Sequence, residues 1–321
     1  MLPFDITAAE NISGIPPASR SDHNLDKVYQ WFSSQSDFKD RFGQALRQSI
    51  DEVLDGQRTG RFNIDDLEKT EKTYLGTKVE IVARAAFNLK YGQAMDYTVA
   101  GHDVDSKFTI LKNWTIPGEA IGHICLLMKA NDHESRFQVG LLHIEDNLLN
   151  SGQNRDGKRS LSALGRSSIR WLVRDGELPK NILLNLPEAD RSAIFQASSK
   201  YHGRGNGGQS RTDELFRRVQ KQLVDRNTVL TVASQEDSPK RVRDSRKRLR
   251  HEGIIILGHQ GRHPHIARAL RLPIPGKGSW VAARITVRNT PAEARPIASI
   301  DNTNYALWTE GDTDDPAPAN Y

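Results

Sequence analysis

Two aspartates and a lysine are spaced so that one β-hairpin could bring them together. Asp96 lies on one predicted strand, residues 95–99, and Asp105 and Lys107 lie on the next, residues 104–111. Side chains two residues apart on a strand point to the same face, and the partner strand can place Asp96 beside them. Paired carboxylates are costly without a cation, and oxygen ligands favour Mg²⁺. A neighbouring ammonium can orient or help deprotonate a metal-bound water, so the hairpin indicates hydrolysis of a phosphodiester.

Glu80 lies upstream of this hairpin and is the candidate for a third carboxylate. A helix is predicted to begin near Thr77, and the spacing Thr77-x-x-Glu80 also fits a capping box, which would explain Glu80 without chemistry. Asp103 is an alternative to Asp105, because it lies four residues before Lys107 with the same strand parity, although aspartate is common in turns. The alternative for the Asp-x-Lys pair, Asp105 and Lys107, is a charge pair that faces solvent and has no catalytic role.

The pattern Glu-(x15)-Asp-(x8)-Asp-x-Lys, formed by Glu80, Asp96, Asp105 and Lys107, resembles the active-site layout of the PD-(D/E)xK nucleases. It looks most like the branch that contains MutH and the NaeI restriction endonucleases. The similarity takes in residues 76–80 and 155–158 and the basic C-terminal half. No proline precedes Asp96, where Met95 stands.

The resemblance implies an α/β nuclease core, a mixed sheet flanked by helices, with a C-terminal winged helix-turn-helix domain. It implies a Mg²⁺-dependent homodimer that cuts both strands of a palindromic site in double-stranded DNA, of the GCCGGC type. A second DNA copy bound at the C-terminal domain would act as effector. Carried over by position, the catalytic residues are Glu80, Asp96, Asp105 and Lys107, and the metal ligands are Asp96, Asp105 and Glu80.

Basic charge is concentrated in the second half of the chain. Residues 1–180 carry 23 basic and 25 acidic side chains, whereas residues 181–321 carry 22 and 15, which predicts that the second half meets a polyanion. One predicted helix, residues 238–251, holds seven cations, and four of them share a face at i, i+3, i+4 and i+7. Such a helix can neutralise phosphates and read guanine, although a solvated face is the alternative. The seven are Lys240, Arg241, Arg243, Arg246, Lys247, Arg248 and Arg250.

The order of predicted elements around the basic helix is that of a winged helix-turn-helix. A helix at residues 212–224 precedes it, and strands at 254–257 and 280–287 follow, joined by a basic turn at 258–263. The charged segment 174–179 contains glycine and proline and marks a boundary. We expect a nuclease domain at 1–174, a linker at 175–181, and a DNA-binding domain at 182–321 with an acidic tail.

Within the first domain we expect a second hairpin, residues 121–128 and 137–144, and a helix at 161–173. Arg155, Lys158 and Arg159 lie in the polar loop after that hairpin and are candidates for contacts in a DNA groove; a solvated turn is the alternative.

The composition excludes several classes of protein. The longest aliphatic run, Ile254 to Leu257, is too short to cross a bilayer, and the N-terminus lacks the sections of a secretory signal. The single cysteine, Cys125, excludes an internal disulfide framework and a multi-cysteine zinc site, and it is expected in the core. We therefore expect a cytoplasmic protein without a membrane partner.

The sequence predicts a type II restriction endonuclease. The alternatives are a non-cleaving winged-helix regulator, in which the hairpin acids are structural, and a MutH-like nicking enzyme.

Overall fold

The computed structural model describes residues 22–197, 207–235, 237–288 and 295–321. The helices are His23–Ser33 (α1), Phe38–Leu54 (α2), Gly56–Thr59 (α3), Lys69–Phe87 (α4), Ala163–Ser167 (α5), Ile182–Asn185 (α6), Glu188–Gln196 (α7), Gly208–Arg218 (α8), Arg226–Ala233 (α9), Ser238–Leu249 (α10) and His263–Ala269 (α11). The strands are Tyr97–Val99 (β1), His102–Thr109 (β2), Thr115–Ile116 (β3), Ile124–Asn131 (β4), Arg136–His143 (β5), Leu149–Gln153 (β6), Arg159–Leu161 (β7), Arg170–Glu177 (β8), Leu223–Asp225 (β9), Ile254–Leu257 (β10), Ser279–Val287 (β11), Ile297–Ile300 (β12) and Thr303–Leu307 (β13). Within these ranges, none of the helices has the length and apolar character that a membrane span requires.

A mixed five-stranded sheet forms the core of the N-terminal half. Its strand order is β1-β2-β4-β5-β8, with β2 and β4 parallel and the other neighbours antiparallel. Alternate residues of the central strand β4 enter two clusters: Leu126 and Met128 pack with side chains of α1, α2 and α4, whereas Cys125 and Leu127 pack with Trp114. Because both faces of β4 are covered, its apolar run is continuous. The expected mixed sheet flanked by helices is confirmed.

A two-residue turn joins β1 to β2. Ala100 has φ 51° and Gly101 has φ 82°, the left-handed pair that a type I′ hairpin turn requires. The hairpin is confirmed, but β1 begins at Tyr97, so Asp96 lies in the bend before the strand and not on it. The carboxylate of Asp103 holds this bend by accepting backbone N–H groups of residues 93 and 94 at 3.0 and 2.8 Å.

The helix that carries Glu80 begins at Lys69, well before Thr77. Its first turn is closed by Glu71, whose carboxylate accepts the backbone N–H of Glu68 at 2.9 Å. The expected start near Thr77 is therefore wrong, and Thr77 cannot cap a helix in whose middle it lies. A capping box formed by Thr77 and Glu80 therefore does not explain the presence of Glu80.

The helix expected at residues 161–173 is also wrong. Only α5 is helical there, and β8 follows and pairs with β5. Leu172 and Val173 pack on one face of the sheet and Ile169 on the other, with Trp171 against it. A strand covered on both faces has a continuous apolar run, which periodicity alone does not separate from a buried helix. The strand ends at Glu177, beyond the residue 174 that we expected to close the first domain.

The C-terminal half contains a second antiparallel sheet. Its order is β10-β11-β13-β12, and β9 pairs with the beginning of β11. The predictions of the basic helix and of the strands at 254–257 and 280–287 are confirmed by α10, β10 and β11. The helix expected at 212–224 ends at Arg218, because residues 223–225 form β9 instead. The basic turn expected at 258–263 is a loop that leads into the helix α11.

A polar cluster, buried at Arg47 and Asp132, joins the two halves. Arg47 of α2 lies 2.5 Å from Asp132, in the turn between β4 and β5, and 2.6 Å from Asp51. Asn227 of α9 donates to Asp51 at 2.8 Å, and the amide of Asn181, before α6, lies 3.4 Å from Asp132. The contacts of these five residues tie α2 and the β4–β5 turn to the C-terminal half.

Candidate active site

Asp105 and Lys107 lie side by side on β2, as their strand parity predicts. The Lys107 Nζ atom is 2.6 Å from Asp105 Oδ2, and the side chain of Asp105 is only 9% exposed. Asp105 also pairs in register with Cys125 of β4, whose Sγ lies 3.5 Å from the same carboxylate oxygen. Burial raises the pKa of the Cys125 thiol, so the thiol stays protonated and can donate to Asp105 from the core side.

Asp96 is held against the same strand by a backbone hydrogen bond. The N–H of Ser106, the residue between Asp105 and Lys107, donates to Asp96 Oδ2 at 2.7 Å. Burial, together with the negative charges of Glu80 and Asp105, raises the pKa of Asp96 to about 6 against the lowering effect of that hydrogen bond. The carboxylates are therefore close enough to repel one another, with Lys107 as the cation beside Asp105.

Glu80 reaches the site from α4, which packs beside β2. The hydroxyl of Tyr97 donates to the backbone oxygen of Glu80 at 2.9 Å, so the helix is tied to the residue directly after Asp96. The Glu80 carboxylate itself forms an ion pair with Arg84. The signal for this partner was present in the sequence, because oppositely charged residues four apart on a helix are neighbours.

The donor chemistry of the site fits a hard divalent cation. Asp96 and Asp105 offer carboxylate oxygens, and the raised pKa of Asp96 reflects negative charge that a cation would neutralise. Among the described residues, however, no three His, Cys, Asp or Glu side chains are grouped so that they could hold a metal ion as they stand. Glu80 is engaged by Arg84 instead.

Asp103, the alternative to Asp105, has a different role in the structure. Its carboxylate accepts two backbone N–H groups, which lower its pKa. It therefore fixes the bend that carries Asp96, whereas Asp105 contacts the lysine.

The cations of the basic helix α10 divide into exposed and engaged groups. Arg246 donates from Nε to the backbone oxygen of Ile256 at 2.7 Å, and burial lowers its pKa. Arg250 donates from Nε to the backbone oxygen of Ala317 at 2.9 Å, and Arg241 is half-buried. Helical spacing alone had placed Arg246 and Arg250 on the DNA-facing side. The exposed cations are Lys240, Arg243, Lys247 and Arg248, the last 3.6 Å from Asp213.

The loop cations also divide. Arg155 and Lys158 are exposed at the tip between β6 and β7. Arg159 is occupied within the protein, because it contacts Asp146 at 2.6 Å and the backbone oxygen of Asn150 at 2.7 Å. Two of the three candidates, Arg155 and Lys158, are thus exposed where they could contact a DNA groove.

A mixed sheet that carries a carboxylate and a lysine on one strand, with a second carboxylate in the bend before the hairpin and a third on a flanking helix, is suited to hydrolysing phosphodiester bonds. The fold and the site define a nuclease. Comparison with known proteins agrees with this class. The model of the family described as "Restriction endonuclease NaeI" matches residues 27–316. The "Type II restriction enzyme NaeI" of Lentzea aerocolonigenes is 43% identical over 297 residues, which cover 91% of this chain and 92% of that protein.

The chain belongs to the NaeI restriction endonuclease family. It is a type II site-specific deoxyribonuclease, and it therefore binds DNA. Type II restriction endonucleases generally use a divalent metal ion. The alternative of a non-cleaving regulator is not retained.

Proposed function

We propose that this enzyme uses Mg²⁺ to cut both strands of a palindromic DNA site, with Glu80, Asp96, Asp105 and Lys107 as its catalytic residues. The observation that carries the proposal is the contact of 2.6 Å between Lys107 Nζ and Asp105 Oδ2, beside a second carboxylate, Asp96, whose pKa is raised to about 6. A lysine and two carboxylates in this arrangement can bind a hard cation and direct a water at a phosphate.

Each residue has a separate task in the proposed mechanism. Asp96 and Asp105 would hold the ion, and Glu80 would assist from α4. Bound Mg²⁺ supplies Lewis-acid stabilisation of the charge on the phosphate. Lys107, fixed by Asp105, orients the attacking water and places a positive charge next to the phosphate oxygens. Cys125 and the Ser106 N–H hold the two aspartates from the protein side.

Replacing Lys107 by alanine tests this assignment. Lys107→Ala should abolish cleavage of a long mixed-sequence DNA in Mg²⁺ and leave DNA binding largely intact. Lys39→Ala is the matched control, because Lys39 is an exposed lysine on α2 outside the site. Normal cleavage by Lys107→Ala would show that the catalytic assignment is wrong.

The same digest separates cleavage from nicking. Discrete fragments support cutting of both strands, whereas nicked circles without linear product would favour the MutH-like alternative. The palindrome is proposed to be of the GCCGGC type, which the resemblance to the NaeI endonucleases implies. Mapping the fragment ends would test it directly.

We further propose that residues 182–321 form a winged-helix DNA-binding domain that follows the nuclease domain. The nuclease domain then extends past the expected residue 174, because β8 continues to Glu177 and Leu178 packs in the N-terminal core, so the linker expected at 175–181 is reduced to residues 179–181. The chain order α8-β9-α9-α10-β10-β11 supports this proposal, because β9 and β10 both pair with β11 and α10 presents its exposed cations to solvent. The described apolar clusters also lie within one half or the other, apart from Phe62, which packs against the C-terminal cluster. The helix α11 occupies the place of the wing.

In this proposal the C-terminal domain binds a second, effector copy of the DNA, and the enzyme acts as a homodimer whose symmetry matches the palindrome. We also retain the cytoplasmic location expected from the sequence. Faster cleavage of two-site than of one-site DNA would support the effector role, and equal rates would count against it. Sedimentation of the DNA-free protein measures the oligomeric state.

A further inference from the structure

Arg84 is built into the candidate active site from three sides. Its guanidinium pairs with the Glu80 carboxylate one turn earlier on α4. The same group lies 4.2 Å from the ring centroid of Tyr91 and 5.6 Å from that of Tyr97. Tyr97 is buried, directly follows Asp96, and donates its hydroxyl to the backbone of Glu80. The Arg84 side chain is therefore only 15% exposed, although it is charged.

Tyr91 covers this guanidinium from the solvent side. Its side chain is 75% exposed, and the Thr98 hydroxyl donates to its backbone oxygen at 3.0 Å, which fixes it beside β1. An aromatic face over a guanidinium stabilises the cation in place. The two tyrosines thus restrain the orientation of Arg84, and Arg84 restrains that of Glu80.

The charges of the site show what this restraint does. Three carboxylates, Glu80, Asp96 and Asp105, face two cations. Lys107 neutralises Asp105 and Arg84 neutralises Glu80. With Arg84 in place the group carries one net negative charge, and without it the group would carry two.

We infer that Arg84 is a positioning residue that fixes the Glu80 carboxylate and withholds one negative charge from the cation site, lowering cation affinity in return for a faster cleavage step. This inference rests on the catalytic role proposed for Glu80. Without Arg84, the Glu80 carboxylate would add its full negative charge to the attraction for a divalent cation. Its side chain would also be free to change orientation during the reaction.

Arg84→Gln separates the two effects. In the DNA-free protein, the Mg²⁺ concentration at the midpoint of the metal-induced rise in Tm should fall about three- to tenfold, because the charge of Glu80 is no longer neutralised by Arg84. The cleavage rate at saturating Mg²⁺ should fall at least about tenfold, because the carboxylate is no longer held. A purely structural role would not tighten Mg²⁺ binding while slowing cleavage. The matched control is Arg58→Gln, which removes another helical cation–carboxylate pair, with Asp55, outside the site.

A second variant keeps the inference testable if Arg84→Gln fails to fold. Arg84→Lys retains the charge but not the planar group that stacks on both rings. It should keep the Mg²⁺ midpoint within about twofold of the wild type and lose part of the cleavage rate. A lysine variant that cleaves at the wild-type rate would overturn the positioning role. An unchanged or raised midpoint in Arg84→Gln would overturn the charge effect.

The catalytic set is tested separately. If Lys107→Ala and Asp105→Asn still cleave, the proposed site is wrong. If both lose cleavage but Arg84→Gln matches the wild type in midpoint and rate, only the inference about Arg84 fails.

Discussion

Replacing Asp96 by asparagine should stabilise the metal-free protein and abolish cleavage. An asparagine has the same shape, and its side-chain oxygen can still accept the Ser106 N–H, which lies 2.7 Å from Asp96 Oδ2. The substitution therefore removes a charge with little change in packing. That charge is unfavourable without a metal, because burial and the carboxylates of Glu80 and Asp105 oppose ionisation.

The pKa of Asp96 sets the size of this effect. It is raised from the ordinary 3.8 to about 6, and a tenfold change in an equilibrium constant is worth ~1.4 kcal/mol, so the full difference corresponds to ~3 kcal/mol. The side chain is half-exposed, and solvent screening reduces this to about 1–2 kcal/mol. The folded protein binds this proton more tightly than the unfolded chain does. Protonation of Asp96 therefore stabilises the folded wild type at low pH, and this contribution is lost as pH rises from about 4 to about 6. The asparagine variant has no such group to titrate, so it shows no such loss.

Urea unfolding in EDTA measures this difference. At pH 8 the free energy of unfolding of Asp96→Asn should exceed that of the wild type by about 1–2 kcal/mol, and the gap should narrow at pH 5. Mg²⁺ should narrow it at pH 8 as well, because it neutralises Asp96 only in the wild type. A variant as stable as the wild type at pH 8, or less stable, would refute the reasoning. Cleavage by the variant would separately refute the catalytic role.

Two further changes test the junction between the halves and the DNA-binding surface. Asp132→Ala should lower the free energy of unfolding by about 2–4 kcal/mol in urea titrations, because buried Arg47 loses one of its two carboxylates and keeps only Asp51. The double variant Arg243→Ala, Lys247→Ala should weaken DNA binding and reduce the salt dependence of log K by about 2, since each exposed cation neutralises one phosphate.

Controls for both changes lie in the same elements. Glu134→Ala alters an exposed acid in the same turn as Asp132, so a comparable loss there would contradict the burial argument. Arg246→Gln removes a cation of α10 that the protein itself engages through Ile256. The Arg246→Gln variant should lower the free energy of unfolding and leave the salt dependence of DNA binding close to that of the wild type. A salt slope unchanged in the Arg243, Lys247 double variant would show that α10 does not face DNA.

The placement of Asp105, Lys107 and Asp96 could be predicted because it depends on short spacing within one chain segment. Strand parity alone puts Asp105 and Lys107 on one face, and a two-residue turn containing Gly101 makes the hairpin that brings Asp96 near. Glu80 was a candidate because of its position upstream of the hairpin, and the family resemblance placed it in the catalytic set. Strand parity and the hairpin turn are local relations, so they can be predicted without knowledge of the remaining fold.

Errors arose where burial on two faces or distant partners decided the structure. Residues 170–173 form a strand because they pair with β5 and lie between two apolar layers, and their apolar run alone fits a helix equally well. Residues 223–225 leave the predicted helix because the distant strand β11 offers them backbone partners.

Tertiary structure also assigned the charges to their tasks. By sequence, helical spacing put Arg246 and Arg250 on the same face as Arg243 and Lys247, whereas the fold directs Arg246 and Arg250 to backbone oxygens of β10 and the C-terminal segment. Asp103 and Asp105 shared strand parity with Lys107, and only the folded structure shows that Asp105 contacts the lysine whereas Asp103 holds the bend. By itself the sequence determined which groups could perform the reaction, because residue types and near spacing are encoded locally. Which of these groups remain available to a metal ion or to DNA was decided only by packing, because a side chain is engaged or free according to neighbours that lie far away in the chain.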